Sequence, residues 1–250
     1  MDPFRGKRDL RIASVLYLLG RPIRVGLCSL QPAGCRTRGV RCRDLGPPIH
    51  GMQLTSGPLT IFYWTACQKF WGRAIGVVCT LEAAGKKQGT DFVIKEPSDA
   101  PPGFGMAYPQ VKFASGLQLA QTAAVLSALG DELGLSGKTP EAKLLCRQYL
   151  EDMTDFFGAA QSGKLLDDEG KREKWFTLLE ARLTKNSFFL GDEPTVVDYH
   201  GVFAFNWVEK CYVGKGGSLE AYPNVKRWWA AIKEDPAVKA KFDGPIALIP

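Results

Sequence analysis

Apolar positions along this chain fall into two regimes. Between residues 59 and about 134, short runs rich in β-branched and aromatic residues alternate with longer stretches of helical spacing, whereas beyond about 138 only the helical spacing persists. Leu59-Thr-Ile-Phe-Tyr-Trp64 follows Gly57-Pro58 and reads as a strand. Phe70, Ala74, Val77, Val78 and Leu81 recur at helical steps up to Gly85, which predicts a helix over 70–84. Asp91–Lys95 reads as a second strand, and a Pro/Gly-rich loop follows up to Pro109. Gln110–Phe113 and Leu117–Leu119 read as a hairpin turning at Ser115-Gly116. Val125, Leu126, Leu129 and Leu133 then mark one face of a helix from about Thr122 to Leu133.

In the second regime, Leu145, Tyr149, Met153 and Phe156 lie at steps of four, four and three on a long helix over 140–160, opened by Pro140 at a favoured first-turn position. A further helix is expected over 168–185, with Trp175, Leu179 and Leu183 on its buried face. Thr195-x-x-Asp198 has the form of a capping box, a folding element with no catalytic role. Val225, Trp228, Trp229 and Ile232 make the stripe of a last helix, and their large apolar area assigns them to the core. The fold class expected is thus an α/β half followed by an all-helical half.

Charge and cysteine modify this picture mainly at the start. Residues 1–51 hold ten basic residues and three acidic ones, so the net charge of +6 resides there, and residues 52–250 carry 22 basic against 23 acidic groups. That distribution removes a nucleic-acid partner from the reading of the body. The segment runs from Lys7, Arg8 and Arg11 through the short apolar stretch Ile12–Leu19 into Arg-, Gly- and Pro-rich sequence. It reads as a basic extension over 1–56 that is disordered or a targeting leader, or as sequence upstream of a natural start at Met52. The cytoplasm is the expected compartment, with a plastid or mitochondrion as the alternative if 1–51 is a transit peptide. The lone cysteines Cys67, Cys79, Cys146 and Cys211 form no CxxC or zinc-like cluster, and no run reaches the roughly 18–20 apolar residues of a membrane span. His50 and His200 are the only histidines, too few for a metal cluster, and His200 reads as a structural or surface residue.

The stretch FGMAYPQVKFASGLQLAQTAAVL resembles the glutathione transferases, and their sigma-like branch in particular, in its order of FG, proline, strand, turn, strand and helix start. FFLGDEPTVVD at 188–198 and the YPNVKRWW segment from Tyr222 resemble the same family's later motifs, so the likeness runs from about Leu59 to Phe242. It implies a thioredoxin-like glutathione-binding domain over 57–134, an all-helical domain over 138–250, and a homodimer. Pro109 matches the family's cis-proline, with Tyr108 presenting its backbone to the cysteinyl part of glutathione. Gln121 and Thr122 fall where the family binds the γ-glutamyl carboxylate, at a helix start whose free N–H groups and dipole favour an anion. Read on its own, Thr122 is a plain N-cap first and a ligand second, and the presence of Pro109 reverses that order.

The family's reaction needs a positioned donor, because a free thiol is only a few per cent ionised near neutral pH. The sigma-like pattern L-T-Y-F is here Leu59-Thr60-Ile61-Phe62, so the expected tyrosine is Ile61, and the loop before Gly72-Arg73-Ala74 is several residues longer. Tyr63 lies two residues on from Ile61, on the same side of the strand, and is the first choice of donor. Thr65, through its hydroxyl, and Cys67, through a mixed disulfide, are the alternatives. The function implied is conjugation or isomerisation of a small apolar electrophile by glutathione, as in detoxification. The alternatives are a non-catalytic scaffold of the same fold, fed by Ile61, and a Cys67-dependent reductase or dehalogenase.

Overall fold

The structure is a computed structural model that describes residues 53–248 together with 17–18 and 21–22. The chain divides at Pro48 into two units. In the first, β1 (Tyr17–Leu18) and β2 (Arg21–Pro22) form a two-residue antiparallel ribbon. The expectations for a leader, a transit peptide or a start at Met52 otherwise lie outside the described residues.

The second unit opens on a four-stranded mixed sheet of order β4-β3-β5-β6. β3 (Leu59–Phe62) runs parallel to β4 (Phe92–Lys95) and antiparallel to β5 (Gln110–Lys112), which pairs antiparallel with β6 (Gln118–Leu119). β3 is an inner strand, and Leu59, Ile61 and Phe62 are all buried. Between β3 and β4 the chain makes a short helix, α1 (Thr65–Gln68), and then α2 (Ala74–Ala83). The helix expected over 70–84 therefore starts four residues later, and α1, too short to show a periodicity, occupies the lengthened loop.

All eight residues from Ala74 to Leu81 are buried, so α2 meets solvent only at its last two residues. A helix apolar all round belongs in an interior, and α2 packs on α3 (Thr122–Leu133) on one side and on helices of the second half on the other. Gly76 permits the closest of these approaches, since a Cβ there would lie 3.2 Å from the Cα of His200.

The second half is all helical: α4 (Pro140–Gln161), α5 (Lys164–Asp167), α6 (Glu169–Arg182), α7 (Val196–Cys211), α8 (Pro223–Glu234) and α9 (Pro236–Phe242). On α4 the buried stripe is Cys146, Leu150, Met153, Phe156 and Phe157, and Leu145, expected in the core, is 42% exposed. On α6, Phe176 takes the buried place beside Leu179, and Trp175 is half-buried. The stripe of α8 is as expected, with Val225, Trp228, Trp229 and Ile232 all buried.

The box at Thr195 forms and does more than cap α7. Asp198 is fully buried, and its Oδ2 accepts from Thr195 N and Thr195 Oγ1, both at 2.8 Å. Its Oδ1 accepts from Phe189 N at 3.1 Å and from the indole Nε1 of Trp228 at 2.8 Å. Burial pushes this carboxyl above the usual range, and the donors around it pull the other way.

Residues 246–248 return to the first half. Trp71 N donates to Ala247 O at 2.7 Å, Gly72 N to Leu248 O at 2.9 Å, and Ala247 N to Lys69 O at 3.3 Å. Among the described residues, no helix is long and apolar enough to cross a membrane.

Candidate active site

The C-terminal end of β3 and the turn ahead of β5 meet because Phe62 pairs with Gln110. The Tyr108–Pro109 peptide is cis. Tyr108 presents its ring edge-on to Trp64, with centroids 4.8 Å apart, and its hydroxyl donates to Pro97 O at 3.3 Å. The ring is thus turned to the aromatic wall that follows β3. The side-chain amide of Gln110 donates from Nε2 to Gly105 O at 2.7 Å, and a Cβ on Gly105 would lie 2.4 Å from that of Ala120. That contact sets the 104–109 turn against the start of α3.

α3 begins without a side-chain cap. Gln121 has φ 72° and ψ 120°, a region that residues other than glycine rarely occupy, at a cost of about 1–3 kcal/mol. The first helical hydrogen bond is Val125 N to Gln121 O, and the amides of Thr122, Ala123 and Ala124 lie ahead of it, at the positive end of the helix. Thr122 is 4% exposed and its Oγ1 has no hydrogen-bond partner. A buried hydroxyl without a partner is uncommon enough to require a reason, and an anion at this helix start supplies one. Two more orphaned atoms lie in the same half, Gln110 Oε1 and Thr65 Oγ1.

Tyr63 shares the side of Ile61, as strand parity requires, and that side is core. It is 4% exposed and packs edge-on against Trp64 and Phe70. Its hydroxyl oxygen accepts from Arg73 N at 2.9 Å, so the phenol caps the start of α2. Burial raises its pKa, partly offset by the N–H and guanidinium of Arg73, and the group stays a protonated donor. Gly72, with φ 52°, makes room for it, since a Cβ there would lie 2.2 Å from the hydroxyl. Cys67 is exposed on α1, its thiol 3.7 Å from Trp64 O. Cys79 and Cys146 are buried, and burial pushes the Cys146 thiol up to about 12, which leaves both as packing groups.

The structure thus brings Tyr108, Pro109 and the start of α3 into one corner through Gly105 and Ala120, with Trp64 against Tyr108. Sequence reasoning missed Gln110, Trp64 and Gly105. Gln110 alone carried a signal, a polar side chain beside Val111 on a strand where both are buried. His200 is buried rather than at the surface, with Nε2 2.9 Å from Thr154 Oγ1. At the start of α2, the Arg73 guanidinium lies 4.5 Å above the ring of Phe157 of α4, which stacks on Phe203 at 4.5 Å.

A small mixed sheet with a cis-proline turn, followed by a helical bundle, is the architecture of a thioredoxin-like domain joined to an all-helical one. Residues 149–236 match the family model "Glutathione S-transferase, C-terminal domain". Glutathione S-transferase 1 of Zea mays is 31% identical over 90 residues, which are 35% of this chain and 40% of that protein. The chain thus spans less than half the length of this curated relative. A major nematode-specific GST of C. elegans shares the fold with a TM-score of 0.57 at 22% identity, over 75% of this chain and 97% of that one. Ure2p5 of Phanerochaete chrysosporium, cocrystallised with 1-(S-glutathionyl)-2,4-dinitrobenzene, does so with a TM-score of 0.57 at 19% identity, over 74% and 92%. At such identities the structural likenesses show the fold. The likeness to the glutathione S-transferases thus consists of a family match within the helical half and of a shared fold that extends over the α/β half.

Proposed function

We propose that this protein is a glutathione transferase of sigma-like kind, which adds the thiol of glutathione to a small apolar electrophile. The observation that carries the reading is the partnerless, buried hydroxyl of Thr122 at the uncapped start of α3. There the γ-glutamyl carboxylate would accept from Thr122 and the first amides of the helix, beside Gln121. The backbone of Tyr108, ahead of cis-Pro109, would take the cysteinyl amide. Tyr63, its oxygen held by Arg73 N, keeps its own proton to donate to the thiolate. The thiolate then forms the new carbon–sulfur bond as the leaving group departs with its electron pair. The domain limits 57–134 and 138–250, a homodimer expected from the family resemblance, and a cytoplasmic setting expected from the scattered single cysteines complete this reading.

A second reading, a glutathione-binding module without turnover, is favoured by the burial of Tyr63 and the use of its oxygen as a helix cap. The full chain is tested for retention on immobilised glutathione and for conjugation of an aryl halide. Thr122→Val is expected to weaken glutathione binding about 5- to 30-fold, for a charge-assisted bond of roughly 1–2 kcal/mol, without loss of thermal stability. Tyr63→Phe is expected to lower turnover and raise the pH midpoint of thiolate formation, with the glutathione KM little changed. The same loss in Thr65→Val or Cys67→Ala instead reassigns the donor. Retention without turnover in the unaltered chain selects the second reading, and no retention at all refutes both.

A further inference from the structure

Tyr63 stands two residues beyond the position where the family resemblance expects a tyrosine, and the turn 70–73 ahead of α2 holds its side chain. Arg73 N donates to the hydroxyl at 2.9 Å, Phe70 packs edge-on against the ring with centroids 5.9 Å apart, and Gly72 leaves the hydroxyl its room. What fixes that turn therefore fixes the phenol.

The end of the chain fixes it. Ala247 pairs with Phe70 in a parallel bridge. Its carbonyl accepts from Trp71 N at 2.7 Å, the Leu248 carbonyl accepts from Gly72 N at 2.9 Å, and Ala247 N donates to Lys69 O at 3.3 Å. Lys69 and Gly72 both take left-handed φ, 57° and 52°, so no regular element runs through the turn. The tail supplies the backbone partners that a neighbouring strand would otherwise give. Leu248 is 7% exposed and anchors the tail in the core. α9 has a mooring of its own on α2, with Lys241 Nζ 2.7 Å from Glu82 Oε1 and Cys79 Sγ donating to Ala237 O at 3.4 Å. The tail can therefore be altered while α9 keeps its place.

We propose that residues 246–248 are a positioning element for the thiol-activating tyrosine: by holding Phe70, Trp71 and Gly72 they keep the Tyr63 hydroxyl aimed at the sulfur of bound glutathione. The proposal rests on the reading of Tyr63 as the thiolate donor given above. Ala247 and Leu248 touch no reacting atom and act only through the turn. Without them the Phe70 ring and the Gly72 backbone are free to shift, and a small misplacement of a donor is costly to the step it serves. The loss falls on ionisation of the thiol. Binding of the γ-glutamyl carboxylate belongs to the start of α3, a separate element, and is spared.

The test follows the ultraviolet absorbance of the bound glutathione thiolate against pH, with kcat and KM for conjugation of an aryl halide. Ending the chain after Gly244 should raise the midpoint of thiolate formation by about 0.5–1 pH unit and lower kcat near neutral pH about 3- to 10-fold, with the glutathione KM little changed. Leu248→Asp, which puts a carboxylate in a buried place, should do the same in the full-length chain. Leu248→Met keeps the buried volume and should return the midpoint to that of the unaltered protein. Tyr63→Phe should raise the midpoint at least as far, and removing the tail from that variant should add less than about 0.2 unit. A tail that serves folding alone lowers the melting temperature without moving the midpoint. An unmoved midpoint in both tail variants, with Tyr63→Phe still raising it, would therefore overturn the proposal and leave the donor reading standing. Full addition of the two shifts would overturn it as well, since the tail would then act elsewhere. An unmoved midpoint in Tyr63→Phe refutes the donor reading itself, and the proposal with it.

Discussion

Asp198 offers the sharpest test of how the helical half is held together. Its carboxylate is fully buried and serves four donors on three separate segments: Thr195 N and Oγ1, Phe189 N and Trp228 Nε1. Asp198→Ala strands both backbone N–H groups and the indole N–H away from water, whereas the threonine hydroxyl can rotate to another acceptor. Three orphaned donors at about 1–3 kcal/mol each, less what is recovered by no longer burying a charge, give a loss of roughly 4–5 kcal/mol. Against a total stability of about 5–15 kcal/mol, that leaves a protein close to unfolding. At about 2–4 °C per kcal/mol for a chain of this size, the melting temperature should fall by roughly 10–15 °C. Asp198→Asn keeps one oxygen for Phe189 and Trp228 and points an amide at the single N–H of Thr195, so it should cost only about 2 kcal/mol. Urea unfolding followed by circular dichroism on the full chain measures both. An alanine variant within about 1 kcal/mol of the unaltered protein would refute the donor count. An asparagine variant as damaged as alanine would show that the charge, rather than the number of donors, carries the effect.

Other outcomes follow from single contacts. Burial, with the nearby Arg73 charge, pushes His200 down to about 3. Because the folded value lies below the unfolded one, its contribution is complete above about pH 6.5 and is lost as the pH falls toward 3. Between pH 7 and pH 5 the unaltered protein should therefore lose about 2 kcal/mol more than His200→Gln in paired urea titrations, and equal losses would contradict the assignment. Gly72→Ala places a Cβ 2.2 Å from the Tyr63 hydroxyl at φ 52°, and should cost about 2 kcal/mol or more. Combined with Tyr63→Phe, the loss should be less than additive, and strict additivity would mean that the two do not meet. Glu132 accepts from Leu54 N and Thr55 N at 2.6 Å and from Thr55 Oγ1 at 2.5 Å. Glu132→Ala should raise amide exchange at those two residues at least about tenfold, and unaltered protection would show that the segment is held by other contacts.

What could be read in advance depended on whether a local signal had one solution. α3 was legible to the residue, because a hairpin turn ahead of it and a single apolar face agreed. α4 was legible as a helix but not in its rotation: apolar residues at 144, 145, 146, 149, 150, 153, 156 and 157 allow two overlapping stripes, and contact with α7 selects the one through Cys146 and Leu150. Parity placed Tyr63 on the side of Ile61, but could not say that this side of an inner strand faces the core. Gln121 followed from resemblance alone, since no propensity puts a glutamine at φ 72°. The aromatic contact between Trp64 and Tyr108 joins residues 44 positions apart, and no local pattern announces it.

The pairing of Ala247 and Leu248 with Trp71 and Gly72 sets an order on biosynthesis. The amides in front of α2 find these acceptors only once residues 247 and 248 have been made, although every strand of the sheet has emerged long before. The α/β half therefore waits, incompletely bonded at its central helix, until the last of the helical half is made. These bonds join an early segment to a late one, and a chain halted in translation before residue 246 leaves that seam open.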